Sequence, residues 1–471
     1  MFANSRRGSA PRGPDMGTIP GQIETEAQPP MAVPLGHFLV GLAALLAGGA
    51  LGSAAQSGLV GGFAGLAHVH LLLVGWVCVT IMGAMTQFVP VWSGVDLHSR
   101  RLATLQLWLV TAGLAGFVGA LLWPALDLLP VFGALMLAGF WTFAYNIART
   151  LPRGMDVTER HFALALAFFV LLTVLGLALA VGYTSPLLAG LGLARPNVAA
   201  AHATLAVFGA VLTTVIGAIY QLATMFTQTD LGRADQLLQR VETVAYPAGV
   251  LALAAGRLVG APALARAGGV LVVGGLAAVA VVVGRKLLEA RVPWTPMLSR
   301  YAVAVAAALA WAALTLPAWL AAPTAPDATF GAPGVAHLLG VGVVGFVVLG
   351  TLYHVVPFIV WVHRYSDLLG FEDVPMVDDL YDARVARGDF LLLVAALLAL
   401  TADGLFEAPG AVAGAAGLAF VAGTLLFVAN MVGVVREHSP HSVLGILTGR
   451  TASGAGSGTD AGGADPGRGD A

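Results

Sequence analysis

Eleven histidines occur in the 471 residues, and five of them, His68, His70, His202, His337 and His354, fall inside long apolar stretches. An ionisable side chain in such a place is costly, so it marks a functional hypothesis together with its partner. Two neutral imidazoles facing one another are the axial set that a six-coordinate iron porphyrin needs. Imidazole also suits copper and zinc. The chemistry to expect is therefore that of a bound iron porphyrin, with copper or zinc as the other metals to weigh. Small residues surround these histidines and no carboxylate lies near them in sequence, which leaves room for a large flat apolar cofactor. The other histidines ask for less. His98, His161, His363, His438 and His441 fall in connections or at the ends of apolar stretches, and His37 starts the first stretch. A single imidazole can also be no more than a hydrogen bond between helices.

Three of the apolar stretches align without gaps. They run from His68 to Pro90, from His202 to Thr224 and from Val335 to Pro357, almost evenly spaced along the chain. Gly75, Gly209 and Gly342 coincide, as do Gly83, Gly217 and Gly350. Small residues at such places let helix backbones approach closely in lipid. Thr86, Tyr220 and Tyr353 share the position three residues after the second glycine, followed by Gln87, Gln221 and His354. In this frame His68 matches His202, and His70 matches His337. His68 and His70 lie about 200° apart on a helix and face different sides. His354 lies about 25 Å along the helix from His337, too far for one ligand group to reach both.

The elements that must hold these residues are membrane helices. Hydrophobic residues make up 58% of the chain and charged residues 10%, where a soluble domain carries about a quarter charged residues. A bilayer crossing takes about 20 apolar helical residues, and in lipid a helix satisfies its own backbone. Period-two alternation, the mark of a barrel, is absent. The expected spans are 33–54, 66–92, 102–123, 128–149, 160–183, 197–226, 241–259, 262–284, 301–322, 333–361, 388–407 and 411–435. The copies are thus four spans apart. The expected fold is all-α, a polytopic membrane protein of about twelve helices in three pseudo-symmetric four-helix units. Around the 33–436 domain, residues 1–32 and 437–471 read as disordered cytoplasmic segments rich in Gly, Pro, Ser and Asp.

Charge orients this arrangement. With the N-terminus inside, the cytoplasmic connections carry Arg100, Arg101, Arg149, Arg153, Arg160, Arg233, Arg240, Arg285, Lys286, Arg291, Arg300, Arg364, Arg384 and Arg387. The opposite connections carry Arg195, Arg257 and Arg266, so the ratio is 14 to 3 in favour of a positive inside. A multi-pass protein of the cell membrane with both ends cytoplasmic is expected. A net charge of −2 gives no reason to expect a nucleic-acid partner. The acidic connection from Ser366 to Asp389 reads as a solvated loop, or as a docking loop for a redox partner or an additional subunit. Cys78, the one cysteine, sits in an apolar run and reads as a small buried hydrophobe. The polar opening segment, Met1 to Ala32, does not read as a cleavable signal peptide.

The phrase His68-Val69-His70-Leu71-Leu72-Leu73-Val74-Gly75-Trp76 resembles the second helix of subunit I of the haem–copper oxidases, in the branch of the cbb-type oxidases and nitric oxide reductases. The stretch from His337 through Tyr353, His354 and Pro357 resembles that family's tenth helix. The resemblance implies twelve helices in three arcs of four. It also implies a low-spin haem held by His70, or His68, together with His337. A copper ligand would fall at His202. The chain departs from the family elsewhere. Its seventh span has no histidine, and Val335 and Ala206 stand where the family has a haem-ligating histidine and a tyrosine. A binuclear oxygen- or nitric-oxide-reducing centre cannot be assembled from these groups in the usual way. The function implied is haem-bound electron transfer or the handling of a small gas, NO or O2, as in the haem and copper membrane proteins of nitric oxide tolerance. A transporter or permease without a redox cofactor, and a divergent terminal oxidase or nitric oxide reductase, are the alternatives. Whether the chain is an enzyme stays open; if it is, it is an oxidoreductase.

Overall fold

The computed structural model describes residues 29–449. Within them the chain is all-helical, with no strand among the described residues. Twelve long helices follow one another: α1 Ala32–Gln56, α2 Ala64–Ser93, α3 Arg100–Leu122, α4 Leu129–Thr150, α5 Val157–Val181, α6 Arg195–Thr227, α7 Arg233–Leu258, α8 Pro262–Leu288, α9 Pro296–Ala321, α10 Leu338–Arg364, α11 Ala383–Phe406 and α12 Gly410–His438. Among the described residues, eleven are long and apolar enough to cross a membrane. The one that falls short is α7, whose first turns carry Arg233, Asp235, Arg240 and Glu242. It begins at Arg233 instead of the expected 241, because Asp235 caps its N-terminus by accepting the Gly232 N–H at 2.9 Å.

Local chemistry sets the other ends in the same way. Ser99 accepts the Leu102 N–H to start α3, and Asp156 and Glu159 form a reciprocal capping box at α5. Gly94 takes the left-handed conformation that stops α2. At the far end α12 runs to His438, and a short helix, Val443–Thr448, follows it. Order therefore extends past the boundary expected at 436. The rest of that expected tail, and nearly all of the expected segment 1–32, lie outside the described residues.

Consecutive helices pack as neighbours, and α1 packs against α12 to close the bundle into a ring. The repeat helices are its inner elements. The most apolar stretch of α2 is 61% buried and those of α6 and α10 are 83% buried, against 33–56% for the other spans. Each repeat helix widens at one place into π-helical turns: Leu71–Cys78, Leu205–Val211 and Leu338–Gly345. Their first residues, Leu71, Leu205 and Leu338, are equivalent in the repeat. A π-helical insertion is rare and concentrates at functional sites. Here it follows immediately on His70, Thr204 and His337.

The repeated glycines are crossing points. A Cβ on Gly83 would meet His37 of α1 at 2.7 Å, one on Gly217 would meet His161 of α5 at 2.5 Å, and one on Gly350 would meet Arg300 of α9 at 3.1 Å. Only a residue without a side chain lets these helices approach so closely. His37, His161 and Arg300 thus hold equivalent places on α1, α5 and α9. Ala44, Phe168 and Ala307, which press on Gly75, Gly209 and Gly342, lie the same distance further along each of those helices.

Candidate functional site

The four histidines of the repeat lie near the N-terminal ends of α2, α6 and α10, and all four are half-buried. They divide between two neighbouring cavities. His68 and His337 line a cleft of about 230 Å3 between α2 and α10. His70 and His202 line a larger cavity of about 780 Å3 between α2 and α6. The linings share Val69, Leu73, Phe330 and Ala336, so the two spaces adjoin. Of the two partners expected for His337, His70 or His68, it is His68 that shares its cleft, while His70 lines the other cavity. The angle of about 200° between His68 and His70 sends them to opposite sides of α2, and His337 stands on the side of His68.

Three imidazoles are held in one orientation by backbone carbonyls. The Nδ1–H of His68 donates to the Gly48 oxygen at 2.7 Å, that of His202 to Leu172 at 2.8 Å, and that of His70 to Leu66 at 2.9 Å. A carbonyl only accepts, so the proton is on Nδ1 and the Nε2 lone pair is left for a ligand. Among the described residues none of these Nε2 atoms has a hydrogen-bond partner. This is the orientation that metal-ligating histidines usually have.

The rings also need space. A Cβ on Gly52 would lie 2.3 Å from the His68 ring, and one on Gly176 would lie 2.9 Å from the ring of His202. Gly52 of α1 and Gly176 of α5 are equivalent in the same register, as are the acceptors Gly48 and Leu172. In α9 the corresponding residues are Trp311 and Thr315. Opposite them stands Val335 instead of a histidine, and a Cβ on the intervening Gly331 would meet both Trp311 and Thr315. At the position of His70 and His337, α6 has Thr204, whose hydroxyl accepts from Arg257 Nη1 at 2.7 Å. Arg257 also donates to the oxygens of Pro323, Ala328 and Thr329. The third equivalent interface, between α6 and α10, is thus filled by a buried guanidinium and indole rings, Trp311 and Trp319.

Among the described residues no group of three His, Cys, Asp or Glu side chains is close enough to hold a metal ion. A tetrahedral zinc or copper cage takes three or four protein ligands. Two opposed imidazoles suit an iron whose other four positions belong to a porphyrin. His354 lies apart, between Phe226 at 4.5 Å and Phe358 at 5.7 Å.

His161, Arg300 and Asp389, expected in connections or at span ends, are instead buried in two polar clusters toward the opposite end. His161 is fully buried, with its Nε2 3.4 Å from Glu242, and the Tyr220 hydroxyl donates to the same carboxylate at 3.1 Å. Arg300 pairs with Asp389, which also accepts from the Tyr353 hydroxyl. Tyr220 and Tyr353 are repeat equivalents, and so are His161 and Arg300. The signal for them was present in the shared Tyr position and in the basic residue lying opposite the second repeat glycine.

Compared with known proteins, the chain matches no protein-family model and no curated sequence.

Proposed function

We propose that this chain is a haem-binding integral membrane protein of twelve spans in three pseudo-symmetric four-helix units, with His68 and His337 as the axial ligands of a low-spin haem b. The observation that carries the reading is that these two imidazoles line one cleft, with the His68 ring fixed by Gly48 and seated against Gly52. The three-unit arrangement is supported by the recurrence of the π-helical turns and of the close crossings at constant intervals. Counting α7 as the twelfth span keeps the first and last helix ends of the bundle on one side, and the excess of arginines supports reading that side as the cytoplasmic face of a cell membrane.

The donor set fits the group, and the space is close to it. At about 230 Å3 the cleft falls below the roughly 300–1,000 Å3 of most ligand sites. A full macrocycle therefore requires side chains of the lining to give way. A bound haem would supply one-electron redox chemistry or a gas ligand site. With both axial positions taken by protein, electron transfer is the better use, and a redox partner or additional subunit would supply and remove the electrons. Haem-bound handling of NO or O2 would require one imidazole to leave. The test is a reduced-minus-oxidised spectrum of full-length protein purified from haem-replete cells. A bis-histidine b-type spectrum is expected, and a colourless, iron-free protein overturns the proposal.

One observation favours a second reading, a transporter without a redox cofactor. Glu242 and Asp389 are buried carboxylates facing His161 and Arg300, a kind of pairing found along ion and proton pathways. That reading expects substrate flux in proteoliposomes from a protein without a chromophore.

A further inference from the structure

We infer that the larger cavity, between α2 and α6, is a second porphyrin site, with His70 and His202 as its ligands and Arg195 meeting a carboxylate arm of the macrocycle. The inference rests on the reading of the chain as a haem protein, but its residues are separate from those of the first site.

The argument begins with pairing. Repeat positions place His68 with His202, and His70 with His337. Each cavity takes one histidine from each class, contributed by two different repeat helices. The α2–α6 interface therefore repeats the α10–α2 interface in its donors. It repeats it in detail as well: His202 uses the carbonyl of Leu172 as His68 uses that of Gly48, and its ring lies against Gly176 as that of His68 lies against Gly52. Where both histidines are missing, at Val335 and Thr204, the interface is filled by Arg257 and by Trp311 and Trp319. The open cavity thus goes with the histidine pair and the filled one with its loss.

Size and charge point the same way. A space of about 780 Å3 lies well within the range of cofactor sites. The rings of Phe117 and His70 are 4.9 Å apart, which extends an aromatic wall along one side. Arg195 lines the cavity without a carboxylate partner among the described residues, and Arg257, held by Thr204 and three backbone oxygens, adds a second positive charge to the wall. Against them stands one exposed acid on the rim, Asp327. Two cations beside an apolar slot with two free Nε2 atoms suit a flat, apolar, metal-bearing dianion.

The experiment counts haem per chain in detergent-purified full-length protein by the pyridine haemochrome method, beside the absorption spectrum. Two haems per chain are expected. His70→Gly and His202→Gly should each lower the count to one, and imidazole added during expression should restore the second. His68→Gly should leave a haem that His202→Gly removes. One haem per chain, lost in His68→Gly and unchanged in His70→Gly and His202→Gly, overturns the second site and leaves the first standing. A haem-free protein overturns both. A quinone extracted in place of the second haem overturns the second site alone. Should a glycine variant not fold, His202→Met serves instead, since a methionine ligand shifts the spectrum of whichever haem it binds, and an unshifted spectrum counts against the site.

Discussion

His68 and His202, equivalent residues of two repeat helices, make the same hydrogen bond in two different helix pairs, Nδ1–H to Gly48 at 2.7 Å and Nδ1–H to Leu172 at 2.8 Å. Each ring then lies over a glycine one turn further along the accepting helix. A feature kept at this level of detail in two copies reflects a need for one imidazole orientation. A helix–helix hydrogen bond alone does not require the glycine.

Gly52→Ala is therefore expected to displace the His68 ring, since the added carbon would stand 2.3 Å from it. The cost of such overpacking is about 1–3 kcal/mol. The haem count should fall by one at little change in yield of folded protein. Gly176→Ala, with 2.9 Å to His202, should act in the same direction on the other site and more weakly. Equal haem content in wild type and both variants would show that the glycines serve packing alone.

Much of this was legible in the chain itself, and the exceptions have physical causes. The repeat, the spans that carry it and the four histidines follow from spacing and apolar length, whereas the inner position of α2, α6 and α10 appears only in the fold. The partner of each histidine does not. His68 and His70 point to opposite sides of α2, and which side meets α10 depends on the order of the helices around the ring. His161 read as a residue of a span end because arginines and acids surround it in sequence. In the fold the same acids belong to caps, and His161 points inward to Glu242. Glu242 itself was hidden in the charged start of α7, where helix capping and a buried pair look alike.

Removing Asp389 and removing Glu242 should have unequal effects. Asp389→Asn leaves the Arg300 guanidinium, 1% exposed, without its counter-charge. Breaking a buried ion pair from one side costs about 3–5 kcal/mol. Glu242→Gln faces a hydroxyl and an imidazole, which can stay neutral, and an amide oxygen can still accept from Tyr220. Thermal unfolding of the two variants in one detergent checks this, and an Asp389→Asn protein as stable as Glu242→Gln contradicts it.

Arg257→Lys should be far from conservative. The guanidinium serves the Thr204 hydroxyl and three backbone oxygens at once, and a single ammonium cannot reproduce that fork. Each buried acceptor left without a donor costs about 1–3 kcal/mol. A large drop in melting temperature is expected for Arg257→Lys. Arg266→Lys, which removes a guanidinium bonded at an exposed position to Leu320, should change little and serves as the control.

The last prediction concerns pH and uses groups beyond the apolar parts of α7 and α8. Lys286 Nζ lies 3.1 Å from Asp235 and 2.8 Å from the Asp230 oxygen, with Glu289 beside it. Burial disfavours the charged carboxylate of Asp235, but the Gly232 N–H, Lys286 and Arg285 outweigh it and hold its pKa below the ordinary carboxylate value. Burial likewise works against the Lys286 ammonium, and Glu289 and Asp235 outweigh it, so its pKa is raised. A carboxyl lowered on folding stabilises the folded state fully above its ordinary value, about 3.9, and the contribution is lost as pH falls through the lower folded value. A lysine raised on folding contributes fully below about 10.4, and that is lost as pH rises through the higher folded value. The pair should therefore add a constant amount from about pH 5 to pH 9. Across that range Asp235→Asn should lower the melting temperature by the same interval at each pH. Below about pH 4 the gap to wild type should narrow as the wild-type carboxyl takes up its proton. A gap that stays unchanged down to about pH 2, in detergent-solubilised protein that still refolds, would contradict the assignment.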